Sequence, residues 1–151
     1  MKVERIDHLH GYCKDVEALA RLFSDLFEMK TTISEYPDTY GTKTCVMRPK
    51  GSYRFMEWVQ PTDPNGPLAK VIGAREEGIL IVNFKVPDLE EGIKEMESRG
   101  IKMLMQYDSP SGRVRQAMFD HQNTFGIQVE LSQFQGDNIF SESEDPQVVD
   151  F

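Results

Sequence analysis

Arg5-Ile6-Asp7-His8-Leu9-His10-Gly11-Tyr12-Cys13-Lys14-Asp15-Val16-Glu17-Ala18-Leu19-Ala20-Arg21-Leu22-Phe23 is the stretch on which the fold turns. From Val3 to Cys13 the chain alternates and is rich in aromatic and apolar residues, the pattern of a β-strand. Asp15 follows as an N-cap, and Glu17 sits where the helix dipole favours an acid. Val16, Leu19, Ala20, Phe23, Leu26 and Phe27 recur at spacings of three and four, one apolar stripe of a helix. Three strand-like stretches come next: Lys30 to Tyr36, Thr42 to Arg48 and Tyr53 to Gln60. Arg48-Pro49-Lys50-Gly51-Ser52 supplies turn chemistry between the last two.

Pro61-Thr62-Asp63-Pro64-Asn65-Gly66-Pro67 cannot continue a strand, because proline donates no ladder hydrogen bond. Residues 61–77, with a short helix over Leu68 to Ile72, therefore read as a linker. Beyond it the plan repeats. Gly78 to Val86 reads as a strand, Asp88 caps a helix through Leu89, Ile93 and Met96 to Arg99, and Gly100 ends it. Ile101 to Gln106, Val114 to Asp120 and Gly126 to Gln133 are the next strands. An offset of 73 aligns Asp15 with Asp88, Val16 with Leu89, Glu17 with Glu90 and Phe23 with Met96. The expectation is an α+β fold of two tandem βαβββ modules, residues 1–60 and 78–135. Together they are expected to form a cupped, partly closed eight-stranded mixed sheet with flanking helices, one domain over 1–135. Residues 136–151 form a tail with five acids and no base.

A chain of 151 residues is long enough to bury a real core, roughly 68–70% of its unfolded surface. The net charge of −8 argues against nucleic acid or an anionic membrane as partner. No apolar run approaches the roughly 20 residues that span a bilayer. No apolar stretch of a signal peptide follows Met1-Lys2-Val3-Glu4-Arg5. Cys13 and Cys45 are too few for a disulfide framework and read as reduced thiols, so the expectation is a cytoplasmic protein with a small-molecule partner.

In a strand, residues i and i+2 share a face. His8 and His10 therefore point together, and so do Gln128, Glu130 and Ser132. Glu57 and Glu130 both sit mid-strand among Met56, Trp58, Val129 and Leu131, where a carboxylate must be paired, ligating, protonated or wet. If the strands bend into a cup, His8, Glu57 and Glu130 meet as one nitrogen and two carboxylate ligands, a set suited to a divalent cation.

Arg5-Ile6-Asp7-His8-Leu9-His10, with Lys14-Asp15-Val16-Glu17, resembles the opening "DHIGIAVKDLEEA" of glyoxalase-like proteins. Pro67-Leu68-Ala69-Lys70 and Gly78 to Val86 resemble "PIAKFL…GLHHIAFEV" of methylmalonyl-CoA epimerases. Met118 to Leu131 resembles their "FLHPKDTGGVLIEL" without a gap. By this likeness the chain is similar to the vicinal oxygen chelate superfamily and, within it, to epimerase-like members. The resemblance implies His8 as the first-strand metal ligand, Glu57 in Met56-Glu57-Trp58-Val59-Gln60-Pro61 as the second, and Glu130 as the last. Ile81 falls on a family histidine ligand and cannot ligate. His10 and Asn83 lie two residues along from His8 and Ile81, on the same faces.

The implied cofactor is a divalent metal: Co²⁺, Mn²⁺, Zn²⁺, Ni²⁺ or Mg²⁺. The implied chemistry is that of an isomerase, epimerase or lyase working through the enolate of a small carbonyl or acyl-CoA-type substrate. Glu130 and either Asp38 or Glu35 are the candidate proton-moving carboxylates, and His10, Asn83, Gln128 and Arg115 the candidate substrate contacts. Two alternatives stay open: a metal-free small-molecule binding protein of the bleomycin-resistance type, and another metal chemistry such as ring-cleaving dioxygenation. The family likeness also implies a homodimer.

Overall fold

The computed structural model describes residues 1–36, 41–52 and 54–139. Its elements are β1 (Arg5–Tyr12), α1 (Val16–Phe27), β2 (Lys30–Tyr36), β3 (Thr42–Arg48), β4 (Met56–Pro61), α2 (Pro67–Ile72), β5 (Gly78–Lys85), α3 (Leu89–Ser98), β6 (Met103–Asp108), β7 (Arg115–Phe119) and β8 (Gln128–Gln133). Two compact units divide the chain: Leu9–Leu80, and Met1–His8 with the described residues from Ile81 onward. The division falls within β1 and β5, so each of these strands serves both units. In the unit Leu9–Leu80, β2 pairs antiparallel with β3, β3 antiparallel with β4, and β4 parallel with β1. In the other unit β6 pairs antiparallel with β7, β7 antiparallel with β8, and β8 parallel with β5. The strand order is β2-β3-β4-β1-β5-β8-β7-β6, an eight-stranded mixed sheet, and with the helices an α+β fold. No helix among the described residues is long and apolar enough to cross a membrane.

The offset of 73 persists in individual hydrogen bonds. Asp15 caps α1 by accepting the Ala18 N–H at 2.9 Å, and Asp88 caps α3 by accepting that of Glu91 at 2.9 Å. The first helical N–H has no partner within its own helix. In α1 it donates to Gln60 Oε1 at the end of β4 (3.1 Å), and in α3 to Gln133 Oε1 at the end of β8 (2.9 Å). Strand register repeats as well. His10 lies opposite Glu57 in one parallel pair and Asn83 opposite Glu130 in the other.

Each helix buries one face against its own strands. Val16 and Ala20 of α1 pack with Cys13, Cys45, Met47 and Trp58. Leu89, Ile93 and Met96 of α3 pack with Val86, Ala117, Phe119 and Leu131. Period-two alternation then sends His10 and Glu57, and Asn83 and Glu130, to the sheet face away from the helix of their unit. The apolar stripe of α1 is shorter than its spacing suggests. Leu26 and Phe27 are exposed beside Glu28, whose left-handed φ of 53° ends the helix. Phe27 instead rests on Phe23, ring centroids 5.3 Å apart.

Strand starts differ from expectation where turns claim a backbone N–H. Gly100 leaves α3 at φ 75°, a conformation glycine adopts without strain, and the Ile101 N–H then bonds back to Met96 O. Consequently β6 begins at Met103. The Ile127 N–H is taken by Thr124 O, so β8 begins at Gln128. Likewise the Arg54 N–H goes to Ser52 Oγ, and β4 begins at Met56; Tyr53, where the sequence pattern starts that strand, lies outside the described residues.

Gly11 faces Trp58 across the β1–β4 pair, and a Cβ there would stand 2.5 Å from the indole Cε3 and Cζ3. Gly11→Ala is therefore expected to destabilise the fold by about 1–3 kcal/mol, seen as a lower urea midpoint at unchanged slope. Burial pushes the Cys13 thiol up to about 11, assisted by the charges of Glu77 and Asp15. Burial likewise pushes Cys45 to about 12, with Cys13 and Glu57 adding to it. Neither thiol should react with a neutral-pH disulfide reagent in the native protein, and both should react in urea.

Candidate functional site

β1 carries the first part of the site. His8 and His10 are both buried and share one face of the strand. His8 Nδ1 bonds the Asp7 carboxylate at 2.9 Å, and Asp7 in turn accepts Nε (3.1 Å) and Nη2 (2.9 Å) of Arg5. Arg5 is itself anchored on Asp137 O at 2.6 Å. This chain fixes the ring, with Nδ1–H donating to the Asp7 carboxylate. Burial alone would raise the pKa of Asp7, but the His8 hydrogen bond and charge, then those of Arg5, outweigh it and hold the carboxyl below its usual value.

On β4 the register sets Glu57 opposite His10, with His10 Nδ1 3.8 Å from Glu57 Oε2. His8, His10 and Glu57 each offer a ligand atom, and the three atoms lie within 4.8 Å of one another. Among the described residues this is the group of three histidine, cysteine or acidic side chains that close, and Glu130 stands outside it.

Glu130 belongs to a buried polar cluster on β5, β7 and β8. Asn83 Nδ2 donates to Glu130 Oε2 at 2.6 Å and to Ser132 Oγ at 2.8 Å, and Gln116 Nε2 reaches Ser132 Oγ at 3.3 Å. Asn83, Gln128 and Ser132 are fully buried, and Glu130 nearly so. Ile81, opposite Gln128, is buried too.

The remaining candidates lie elsewhere. Asp38 falls outside the described residues. Glu35 is largely exposed and ion-paired at 3.2 Å with Lys43, which also pairs with Glu17. Hydrogen bonds that Lys43 donates to Glu17 and then to Glu35 raise the pKa of that lysine. Arg115 is bound by Glu90 at 2.7 Å and Asp108 at 2.9 Å, hydrogen bonds that keep its guanidinium firmly charged. Sequence reasoning passed over Asp7, Arg5 and Gln116, and it placed Ser132 on the face of Glu130 without giving it a role. The Asp7-His8 doublet was the available signal for the first two, since a carboxylate beside a ligating histidine is the usual second partner of its ring. No single-strand pattern marks Gln116.

The donor set fits a divalent transition ion. Two buried imidazoles and one carboxylate leave room for further ligands, and nitrogen–oxygen sets of this kind suit Mn²⁺, Fe²⁺, Co²⁺, Ni²⁺ or Zn²⁺ better than Mg²⁺. Asp7 supplies the orienting contact that such a histidine ordinarily has.

The sequence model of the Glyoxalase/Bleomycin resistance protein/Dioxygenase superfamily matches residues 7–108, and the chain belongs to that superfamily. Among solved structures it is similar to methylmalonyl-CoA epimerase from Mycobacterium tuberculosis (19% identity, TM-score 0.70, covering 89% of this chain and 90% of that one). It is similar also to a Streptomyces coelicolor methylmalonyl-CoA epimerase variant in complex with 2-nitronate-propionyl-CoA (16%, 0.71, 89% and 100%). A third is a hypothetical protein from Bacillus halodurans (19%, 0.71, 93% and 98%). At these identities the likeness is one of fold. No curated protein matches the sequence.

Asp7→Asn is expected to lower stability by about 2–3 kcal/mol, since hydrogen bonds to a charged group are lost. It should also shift the His8 ring toward a mixture of tautomers, read from imidazole ¹⁵N shifts.

Proposed function

We propose that this chain is a metal-dependent enzyme, an isomerase, epimerase or lyase that works on a small carbonyl or acyl-CoA-type substrate through its enolate. The observation that carries this reading is the closure of His8, His10 and Glu57 to within 4.8 Å around a histidine oriented by Asp7. His8 and Glu57 would hold the ion, with His10 or Glu130 completing the set. A bound divalent ion polarises a carbonyl oxygen and favours the developing enolate charge.

The protein's own part is to move a proton on the neighbouring carbon. A carboxylate takes the proton while the C–H electron pair remains on the substrate as the enolate, and returns it to the other face or to the adjacent carbon. Such transfer typically contributes about 10²–10⁴-fold. Glu130 is proposed for this role because it is a buried carboxylate whose position is fixed by the Asn83 amide at 2.6 Å. Asp38 and Glu35 remain the other proposed carriers. His10, Asn83, Gln128 and Arg115 are proposed substrate contacts, and a cytoplasmic homodimer goes with the same reading.

A second reading rests on the same group. Two histidines and one carboxylate is the ligand pattern of non-haem Fe²⁺ oxygenases, which supports ring-cleaving dioxygenation.

Metal titration tests the proposal. One equivalent of Co²⁺ should bind the wild-type protein, and His8→Ala and Glu57→Gln should each weaken binding at least about tenfold. Metal content unchanged by His8→Ala removes that residue as a ligand. Failure to bind any divalent ion stoichiometrically leaves the metal-free binding protein. Deuterium entering methylmalonyl-CoA from D₂O with loaded protein marks the enolate route, whereas oxygen uptake with catechol and Fe²⁺ marks the second reading.

A further inference from the structure

Asn83 Oδ1 is unaccounted for by the roles assigned so far. The side chain is fully buried, and Nδ2 donates to Glu130 Oε2 at 2.6 Å and to Ser132 Oγ at 2.8 Å. Oδ1 is therefore an acceptor, and it has no hydrogen-bond partner among the described residues. Native structures seldom leave such a buried acceptor unsatisfied, because its lost hydration is not replaced.

The repeat sharpens what this position does. Asn83 and Glu130 are the counterparts, 73 residues on, of His10 and Glu57. The first copy has an imidazole at this place and His8 two residues before it. The second has an amide and, two residues before it, Ile81. Both ligand nitrogens are gone from the second copy, while a fixed hydrogen-bond acceptor has been gained. Fully buried Ser132 and the Gln116 amide that reaches it hold the surroundings in place on the same sheet face. Ionised carboxylate and phosphate oxygens have no hydrogen to give to Oδ1, whereas a hydroxyl has one.

We propose that Asn83, with Glu130 and Ser132, forms a metal-independent subsite for a hydroxyl group of a small molecule, Asn83 Oδ1 accepting its hydrogen. This deepens the functional reading above by naming a group the substrate presents, and rests on that reading only in calling the ligand a substrate.

The test uses ¹⁵N-labelled full-length protein stripped with chelator, titrated with dihydroxyacetone and separately with acetone, which has the carbonyl and no hydroxyl. The Asn83 side-chain amide is assigned as the pair of signals lost in Asn83→Leu. A saturable shift of that pair with dihydroxyacetone, and none with acetone, is expected. Asn83→Leu should weaken dihydroxyacetone binding roughly fivefold or more, followed on other shifted resonances. If that variant does not fold, the matched pair of probes on the wild-type protein still decides. Equal shifts from both probes, or none from either, overturns the proposal and leaves Oδ1 to a resident water. Since no metal is present, loss of the metal reading does not change this result, and a negative result here does not change the Co²⁺ titration.

Discussion

The parallel pairing of β1 with β4, repeated in that of β5 with β8, is the constraint on which the site depends. Side chains alternate along a strand, so a slip of one residue in either pair would send every polar group to the helix-facing side. In the register found, His10 meets Glu57 and Asn83 meets Glu130, each on the face away from the helix that packs on its unit. Two devices hold that register from outside the ladder. Gln60 and Gln133 tie the ends of β4 and β8 to the first turns of α1 and α3, and Trp58 lies over the bare backbone of Gly11. The polar face is thus positioned by the apolar one.

Placing so many polar groups out of water works against stability unless each finds a partner. Arg5, Asp7 and His8 meet this demand as a relay: an arginine that keeps part of its surface in solvent steadies a buried carboxylate, which steadies a buried ring. Asn83 plays the steadying role for Glu130 with a neutral amide in place of a charge. The two copies of one module have therefore diverged in chemistry while keeping a common backbone. One copy is rich in ring nitrogens, and the other in amides and a hydroxyl.

Most of the architecture could be read from the chain because independent local signals agreed. The caps Asp15 and Asp88, the apolar spacing behind each, and the proline-rich break between them all repeat at one offset. What escaped was set by competition for single N–H groups, as at Ile101 and Ile127, where a turn won over a strand. For the site, parity along one strand was enough to bring His8 and His10 together and to turn Glu57 and Glu130 away from the apolar core. Parity does not tell which carboxylate stands beside which partner. The link from Asn83 to Glu130 crosses 47 residues of sequence and depends on register between β5 and β8. Asp7 was missed for another reason. It sits at the opposite parity from His8, yet its carboxylate reaches the neighbouring ring along the strand.

Trp58 is the sole tryptophan of the chain. Its indole is buried against Gly11, next in sequence to His10, and Trp58 itself follows Glu57 directly. Its Nε1 has no hydrogen-bond partner among the described residues, so the ring sits in an apolar setting that gives blue-shifted emission. The molecule thus carries a built-in optical gauge at the seam between β1 and β4. A small change in the spacing of those two strands alters the surroundings of one indole, with no background from another tryptophan.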